Sequence, residues 1–268
     1  MIDVHCHLNF RAFAVDYEHI IKQAEKDGVR IIINTGTSIE SSRRAVELAD
    51  KYPNLYAIVG IHPHHADKVE PGWDMEIEKI AKSSNKVVAI GEIGLDYYSY
   101  ASNGIVDPKI QRHVFERQIE IANILKLPLQ IHNRQAGDDI LEILNSKWSM
   151  VNCGGMFHCM SGNVEFLNRV LQMGFYVGFD GNITYKGVAK GETTPLPELV
   201  RQTPIERIVT ETDAPYLTPE PHRGSRNTPS YVILVAQEIA KIKEISQAEV
   251  ESATTKNAIN LFNLDAKP

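Results

Sequence analysis

Six residues with metal-binding side chains lie at or just after short apolar runs. His5 and His7 are two residues apart in the run 2–7. If this run is a strand, both side chains point to the same face. The remaining four end or follow other apolar runs, and they are Glu92, His132, His158 and Asp213. Imidazole nitrogens and carboxylate oxygens are ligands of divalent metals, so the set predicts metal chemistry.

Six ligands are more than one catalytic ion requires. A single ion has three or four protein ligands, whereas six with a bridging carboxylate suit two ions about 3.5–4 Å apart. We expect Glu92 to form the bridge, because a carboxylate has two oxygens to share. Asp213 is expected to bind one ion and to accept a proton from the nucleophile. The histidines favour Zn²⁺ or Mn²⁺ over Mg²⁺ in one site, and the identity of both ions stays open among the three.

A second set of polar residues is a candidate for holding a phosphate group. Imidazole N–H groups donate hydrogen bonds to anions, and planar guanidinium groups bind phosphate with two donors. The alternatives are a capping or solvent-facing role for the histidines and a surface charge on a loop for the arginines. The candidates are His62, His64, Arg134, Arg223 and Arg226.

Two other carboxylates and two cysteines accompany these motifs. Glu211 lies two residues before Asp213, so it is expected to face the same interior, with a bond to a ligand histidine as one of its possible roles. Asp96 either orients Glu92 or begins a loop. Cys6 and Cys159 are expected to point toward the helices as small buried residues.

The elements that must position these residues alternate between strand-like and helix-like segments. Such alternation predicts an α/β fold, a (β/α)₈ TIM barrel that spans 1–268 as a single domain with its active site at the carboxyl ends of the strands. The predicted strands are 2–7, 29–34, 55–60, 86–91, 128–132, 151–158, 175–179 and 206–211. The predicted helices are 16–27, 39–51, 74–84, 108–126, 136–147, 161–173, 196–202, 228–244 and 247–263. Segments 97–106 and 180–195 are predicted to be substrate-facing loops.

Composition limits the range of partners. The chain has 268 residues and a net charge of −6, from 28 Lys+Arg against 34 Asp+Glu. A broad attraction to nucleic acid backbones or anionic lipid is therefore not expected. The 3 cysteines are too few for a disulfide framework, and neither a signal peptide nor a membrane-spanning apolar run is evident. We expect a cytoplasmic protein, and nothing in the sequence indicates an obligate protein partner.

Seven motifs, in this order, resemble the TatD family of metal-dependent deoxyribonucleases, which are amidohydrolase-like TIM barrels. They are IDVHCHL at 2–8, GIHPH at 60–64, GEIGLDY at 91–97, IHNR at 131–134, FHCMSG at 157–162, ETDAPYL at 211–217 and RNTP at 226–229. The resemblance implies metal binding by the six residues given above, and phosphate or metal-site contacts by His62 and His64. Met160, in place of the family's common phenylalanine, and Asn133 depart from the family pattern without touching a proposed ligand.

Three functions follow from these observations. The leading one is a divalent-metal-dependent deoxyribonuclease, a 3′–5′ exonuclease-type phosphodiesterase that acts on single-stranded DNA or on 3′ ends. The alternative keeps the barrel and the metals but cleaves an acyl substrate such as an aminoacyl-tRNA ester, an amide or a lactone. A binding protein without catalysis is the third, and the complete ligand set argues against it.

Overall fold

Eight parallel strands form one sheet in sequence order. The computed structural model describes residues 1–101, 104–147 and 154–264. Each strand pairs with the next one along the chain, and a bridge between Cys6 and Ala214 brings the end of the sheet back to its beginning, so the ring is nearly closed. The strands are β1 Ile2–Cys6, β2 Ile31–Thr35, β3 Leu55–Val59, β4 Val87–Asp96, β5 Leu129–Arg134, β6 Gly155–Phe157, β7 Tyr176–Phe179 and β8 Ile208–Thr210.

Helices follow the strands and surround the sheet. Their inner faces and the outer faces of the strands share a large buried apolar cluster, and a smaller cluster holds Ile33, Ile58, Met156 and Phe262. None of the helices in the described ranges combines the length and apolarity that a bilayer-crossing helix needs. The helices are α1 Tyr17–Lys26, α2 Ile39–Lys51, α3 Trp73–Lys82, α4 Pro108–Leu125, α5 Gly137–Ser146, α6 Val164–Gln172, α7 Leu196–Gln202, α8 Val232–Lys243 and α9 Gln247–Phe262.

The predicted single-domain TIM barrel is confirmed, and most element bounds agree within four residues. The strand predicted at 151–158 is observed only as β6, and its first three residues lie outside the described ranges. A 3₁₀ turn at Ile205–Arg207 replaces the start of the last predicted strand. The predicted loop 180–195 begins with a 3₁₀ turn over Gly181–Thr184 and is otherwise irregular.

β4 departs most from its prediction, because it runs five residues beyond the expected end at 91. The predicted strand ends at Gly91, and glycine is in general depleted in strands. Instead Gly94 pairs with His132 on β5 at a φ of +144°, and a Cβ there would lie 2.0 Å from the His132 carbonyl oxygen. Only glycine allows this close approach. Glu92 consequently lies within the strand and not at its end.

Barrel closure depends on a buried carboxylate near the start of the chain. Asp3 is fully buried on β1 and accepts hydrogen bonds from the backbone N–H of Thr212 at 3.0 Å and from its hydroxyl at 2.6 Å. The segment that follows β8 is thereby held against β1. This contact brings Asp213, which follows Thr212, to the carboxyl end of the first strand.

Candidate metal centre

His5 and His7 point into the barrel from β1, as the two-residue alternation of a strand requires. Both side chains are buried, at 0% and 3% exposure. Their Nε2 atoms lie 3.0 Å apart. The first pair of predicted ligands therefore aims at one point.

The outer nitrogens of these two rings show which tautomers are present. Nδ1 of His5 lies 2.8 Å from Oε1 of Gln130, and Nδ1 of His7 lies 2.9 Å from the carbonyl oxygen of Thr35. Gln130 is held in this orientation because its amide nitrogen donates to the Val4 carbonyl. Carbonyl oxygens only accept hydrogen bonds, so both Nδ1 atoms carry the hydrogen. Each Nε2 then presents a lone pair to the other, an arrangement that a cation between them stabilises.

Two carboxylates complete the surroundings of this point. Oδ1 of Asp213 lies 3.4 Å from Nε2 of His5 and 3.3 Å from Nε2 of His7. Oε2 of Glu92 lies 3.7 and 3.9 Å from the same two nitrogens. Four ligand atoms with two negative charges thus surround one point, and the donor set fits a divalent ion.

The other oxygen of Glu92 faces a second group of histidines. Oε1 lies 2.9 Å from Nδ1 of His132, 3.2 Å from Nε2 of His158 and 3.5 Å from Nε2 of His62. Burial alone would raise the pKa of Glu92, but the facing histidines hold it well below its usual value. The carboxylate is therefore charged, with one oxygen on each side, as a bridging ligand requires.

Asp213 reaches the centre from a turn with unusual backbone geometry. Its φ is +54°, and its backbone N–H donates to the His5 carbonyl at 2.9 Å. A positive φ is uncommon outside glycine, although aspartate tolerates it better than most residues. Burial raises the pKa of Asp213, but the bonds from His5 and His7 outweigh it and lower the pKa overall. A carboxylate held in its charged form can bind a cation or accept a proton.

Further carboxylates support the ligand histidines from outside. Oε1 of Glu211 lies 3.3 Å from Nδ1 of His158 and accepts the Cys159 backbone N–H. Oδ2 of Asp96 lies 3.2 Å from Nε2 of His132 and 2.9 Å from Nε2 of His64. Asp96 therefore contacts histidines, and the structure records no bond from it to Glu92 within the described residues. Such outer carboxylates orient ligand rings and raise their basicity.

His62 has the opposite tautomer to that of His5 and His7. Its Nδ1 accepts the backbone N–H of His64 at 3.1 Å, which leaves the ring hydrogen on Nε2. Burial lowers the pKa of His62 to about 4, so the ring is neutral near pH 7. An N–H group that faces Glu92 Oε1 is a hydrogen-bond donor. This tautomer provides the donor that the predicted phosphate contact needs, while one ligand atom each of His62, Glu92 and His132 also lie within 4.8 Å of one another.

The three predicted arginines have different surroundings. The Arg134 guanidinium lies 4.5 Å from the ring centre of Tyr98, and that of Arg223 lies 3.9 Å from the ring centre of Tyr185. Arg226 instead bonds the Asp16 carboxylate and the Ala12 carbonyl oxygen. Arg226 is thus occupied by another partner, whereas Arg134 and Arg223 have no ion pair in the part of the chain that the structure describes.

The structure brings all six predicted ligands together, with His62 and His64 beside them. Sequence reasoning missed Gln130 and Thr35, which fix the histidine tautomers. Gln130 carried a signal, since it lies two residues before His132 and so faces the same interior. Thr35 acts through its backbone carbonyl, which no residue pattern reveals. Cys6 is buried as expected, while Cys159 is partly exposed and its sulfur accepts a bond from Asn182.

Buried histidines and carboxylates at the carboxyl ends of barrel strands form a site of the kind that metal-dependent hydrolases use. A family model described as TatD related DNase matches residues 2–263, and the chain belongs to this family.

Two relatives and one solved structure are similar to this chain over nearly its whole length. The chain is 39% identical to an uncharacterized metal-dependent hydrolase, YabD, of Bacillus subtilis, over 99% of this chain and 100% of that protein. It is 32% identical to the 3′–5′ ssDNA/RNA exonuclease TatD of Citrobacter rodentium, over 100% and 99% of the two chains. The crystal structure of YJJV, a TatD homologue from Escherichia coli, superposes with a TM-score of 0.89 at 28% identity and covers 98% of both chains.

Proposed function

We propose that the protein is a deoxyribonuclease that removes nucleotides from the 3′ end of single-stranded DNA with two divalent ions. The observation that carries the proposal is the position of Glu92, whose two carboxylate oxygens face two separate groups of histidines. The first ion would be held by His5, His7, Asp213 and Glu92. The second would be held by Glu92, His132 and His158.

The protein's own residues have distinct tasks in this reaction. When bound, the two ions would supply an activated water molecule and positive charge for the phosphate oxygens. Asp213, whose charged carboxylate lies at the first group of ligands, accepts the proton that the water loses as its oxygen bonds to phosphorus. The P–O3′ bond to the strand then breaks, and the proton passes to the leaving 3′ oxygen. His62 donates its Nε2 hydrogen to a phosphate oxygen, as preorganised donors do where charge develops. His64, whose Nε2 lies 2.9 Å from Oδ2 of Asp96, borders the phosphate.

Arg223 is the better candidate of the two arginines after Asp213 for holding the DNA backbone. Its guanidinium lies over Tyr185 and keeps its N–H donors available, whereas Arg226 is bound to Asp16. The name of the Citrobacter relative, an exonuclease on single-stranded DNA and RNA, supports this substrate class. The net charge of −6 disfavours broad duplex binding, but it does not oppose a single strand held at a local metal centre.

The experiment is digestion of a 5′-labelled single-stranded oligonucleotide with Mg²⁺, Mn²⁺ and Zn²⁺ in turn. The proposal expects a ladder that shortens from the 3′ end and disappears when a chelator is added. An aminoacyl ester is offered to the same preparation with the same metals. An intact oligonucleotide with all three ions, together with a hydrolysed ester, would replace this proposal with the acyl-hydrolase alternative.

A further inference from the structure

Two tyrosines form an aromatic surface where β4 leaves the barrel. The rings of Tyr98 and Tyr100 meet edge to face at 4.8 Å, and both are partly exposed. Their backbone is anchored, because the Tyr98 N–H donates to Asp96 and the Tyr97 N–H donates to the Arg134 carbonyl, each at 2.9 Å. Aromatic rings fixed beside a catalytic centre are natural surfaces for stacking a planar group.

Two cations lie over this surface. The Arg134 guanidinium is 4.5 Å from the ring centre of Tyr98 and 5.6 Å from that of Tyr100. Nζ of Lys190, from the loop after β7, is 5.8 Å from the ring centre of Tyr98. Both cationic residues are exposed. We call Tyr98, Tyr100, Arg134 and Lys190 the tyrosine patch.

Single cations without an ion pair lie over tyrosines elsewhere in the described residues, so the patch is distinguished by having two over one ring. Arg44 and Lys51 also lie over a tyrosine, Tyr17, at 5.5 and 5.6 Å. There each cation is neutralised, Arg44 by Glu47 at 2.9 Å and Lys51 by a glutamate at 2.8 Å. Within the described residues, no carboxylate pairs with Arg134 or Lys190. In a chain of net charge −6, two unpaired cations on one aromatic surface indicate an anionic ligand.

The patch adjoins the second group of metal ligands. The Tyr100 hydroxyl donates to Oδ2 of Asp96 at 3.0 Å, the same oxygen that lies 3.2 Å from Nε2 of His132. The ring of His64 contacts the Tyr100 ring edge to face at 4.6 Å. Asp96 therefore bridges Tyr100 and His132, a proposed metal ligand. A ligand on the patch lies next to the reacting group.

We propose that the tyrosine patch is a subsite for the nucleotide adjacent to the scissile phosphate of a single-stranded nucleic acid. Tyr98 stacks on its base, and Arg134 and Lys190 bind its phosphate. Stacking on tyrosine tolerates every base, and a guanidinium held over a ring keeps its outward N–H donors for phosphate. The inference rests on the proposed nuclease function and adds the residues that recognise the strand beyond the cleaved bond.

The test is equilibrium binding of a fluorescein-labelled oligothymidine with phosphorothioate linkages, which resist hydrolysis, to the Mn²⁺-loaded protein. Fluorescence anisotropy gives the affinity across a range of salt concentrations. Tyr98→Leu, which keeps an apolar side chain but removes the ring face, is expected to weaken binding about five- to hundredfold. Tyr98→Phe, which keeps the ring face, is expected to bind with the wild-type affinity.

Arg134→Ala has a different signature, since it removes a phosphate contact. It is expected to reduce the slope of log affinity against log salt concentration by about 0.7, while Tyr98→Leu leaves that slope near the wild-type value. Tyr17→Leu and Arg43→Ala are the matched controls, because Tyr17 also lies under cations and Arg43 is an exposed arginine paired with Glu76. Both controls are expected to bind like the wild-type protein.

The outcomes separate the subsite from the proposed nuclease activity. Binding that neither Tyr98→Leu nor Arg134→Ala alters overturns the subsite, and so does a wild-type protein that does not bind the probe. Arg134→Ala lies at an exposed position, so it remains informative even if Tyr98→Leu fails to fold. If the predicted binding pattern appears but an ordinary oligonucleotide stays intact, the subsite stands and the nuclease proposal fails.

Discussion

Nδ1 of His5 donates to Oε1 of Gln130 across the barrel, from β1 to the opposite strand β5, at 2.8 Å. This bond fixes the tautomer that turns a lone pair toward the proposed first ion. Gln130 is not itself a proposed metal ligand, but through this bond it affects how well the centre holds metal. Gln130 is fully buried, so water does not replace it as the acceptor.

Replacement of this glutamine tests the link. Gln130→Leu is expected to weaken metal affinity about 10- to 100-fold, because His5 then loses the partner that holds its hydrogen on Nδ1. Metal affinity is measured by competition with a chelator of known affinity. Gln118→Leu is the matched control, since Gln118 is also buried and, within the described residues, its side chain bonds the backbone of Ile61 alone. Equal metal affinities in the two variants would show that the bond to His5 has no role in holding metal.

Removal of the proposed bridge has a larger effect. Glu92→Ala is expected to abolish turnover and to reduce bound metal, because it takes one ligand from each ion. The fold should persist, since the change opens neither of the apolar clusters. Turnover, metal content and thermal unfolding are measured on the same preparation. Near-normal activity would show that Glu92 is not the bridge.

His62 is expected to affect turnover without affecting metal. His62→Ala removes an N–H donor aimed at the substrate phosphate, so kcat should fall about hundredfold or more. Metal content should equal that of the wild-type protein, because the hydrogen bond from the His64 N–H to Nδ1 places the ring hydrogen on Nε2, the atom that faces Glu92. His62→Gln, which offers an amide donor, is expected to recover part of the rate. A variant that has lost half of its metal would identify His62 as a ligand instead.

Metal binding is expected to release protons. Burial lowers the pKa of His158, but the carboxylates of Glu211 and Glu92 outweigh burial and hold it well above its usual value. The metal-free ring is therefore protonated near pH 7, and a metal ion must displace that proton. Apparent affinity should fall about tenfold per pH unit of acidification for each proton displaced. Calorimetry in buffers of different ionisation heats counts the protons, and a count of zero contradicts the assignment.

Local sequence signals were sufficient for the fold. α2 has its predicted bounds, and its start is set locally, because Ser38 forms a capping box with Ser41. β4 was predicted too short. A glycine is needed at position 94 because the His132 carbonyl on the next strand comes too close for a Cβ, and local sequence does not reveal this contact. The site was predictable where ligands follow the two-residue alternation of strands, as His5 and His7 do.

Other features of the site depend on contacts between distant segments. Asp16 pairs with Arg226 from 210 residues away, so the sequence alone left the roles of Arg223 and Arg226 open. The tautomer of His62 is set by the backbone N–H of His64, and side-chain types do not reveal it. Likewise the tyrosine patch arises because the loop after β7 approaches the end of β4, where Lys190 meets Tyr98.

The most direct measurement of the central claim is anomalous diffraction from crystals of the protein grown with Mn²⁺. The account predicts two anomalous peaks about 3.5–4 Å apart, one beside each carboxylate oxygen of Glu92. One peak should be bound by His5, His7 and Asp213, and the other by His132 and His158. A single peak would contradict the account. So would two peaks that do not both lie beside the carboxylate of Glu92.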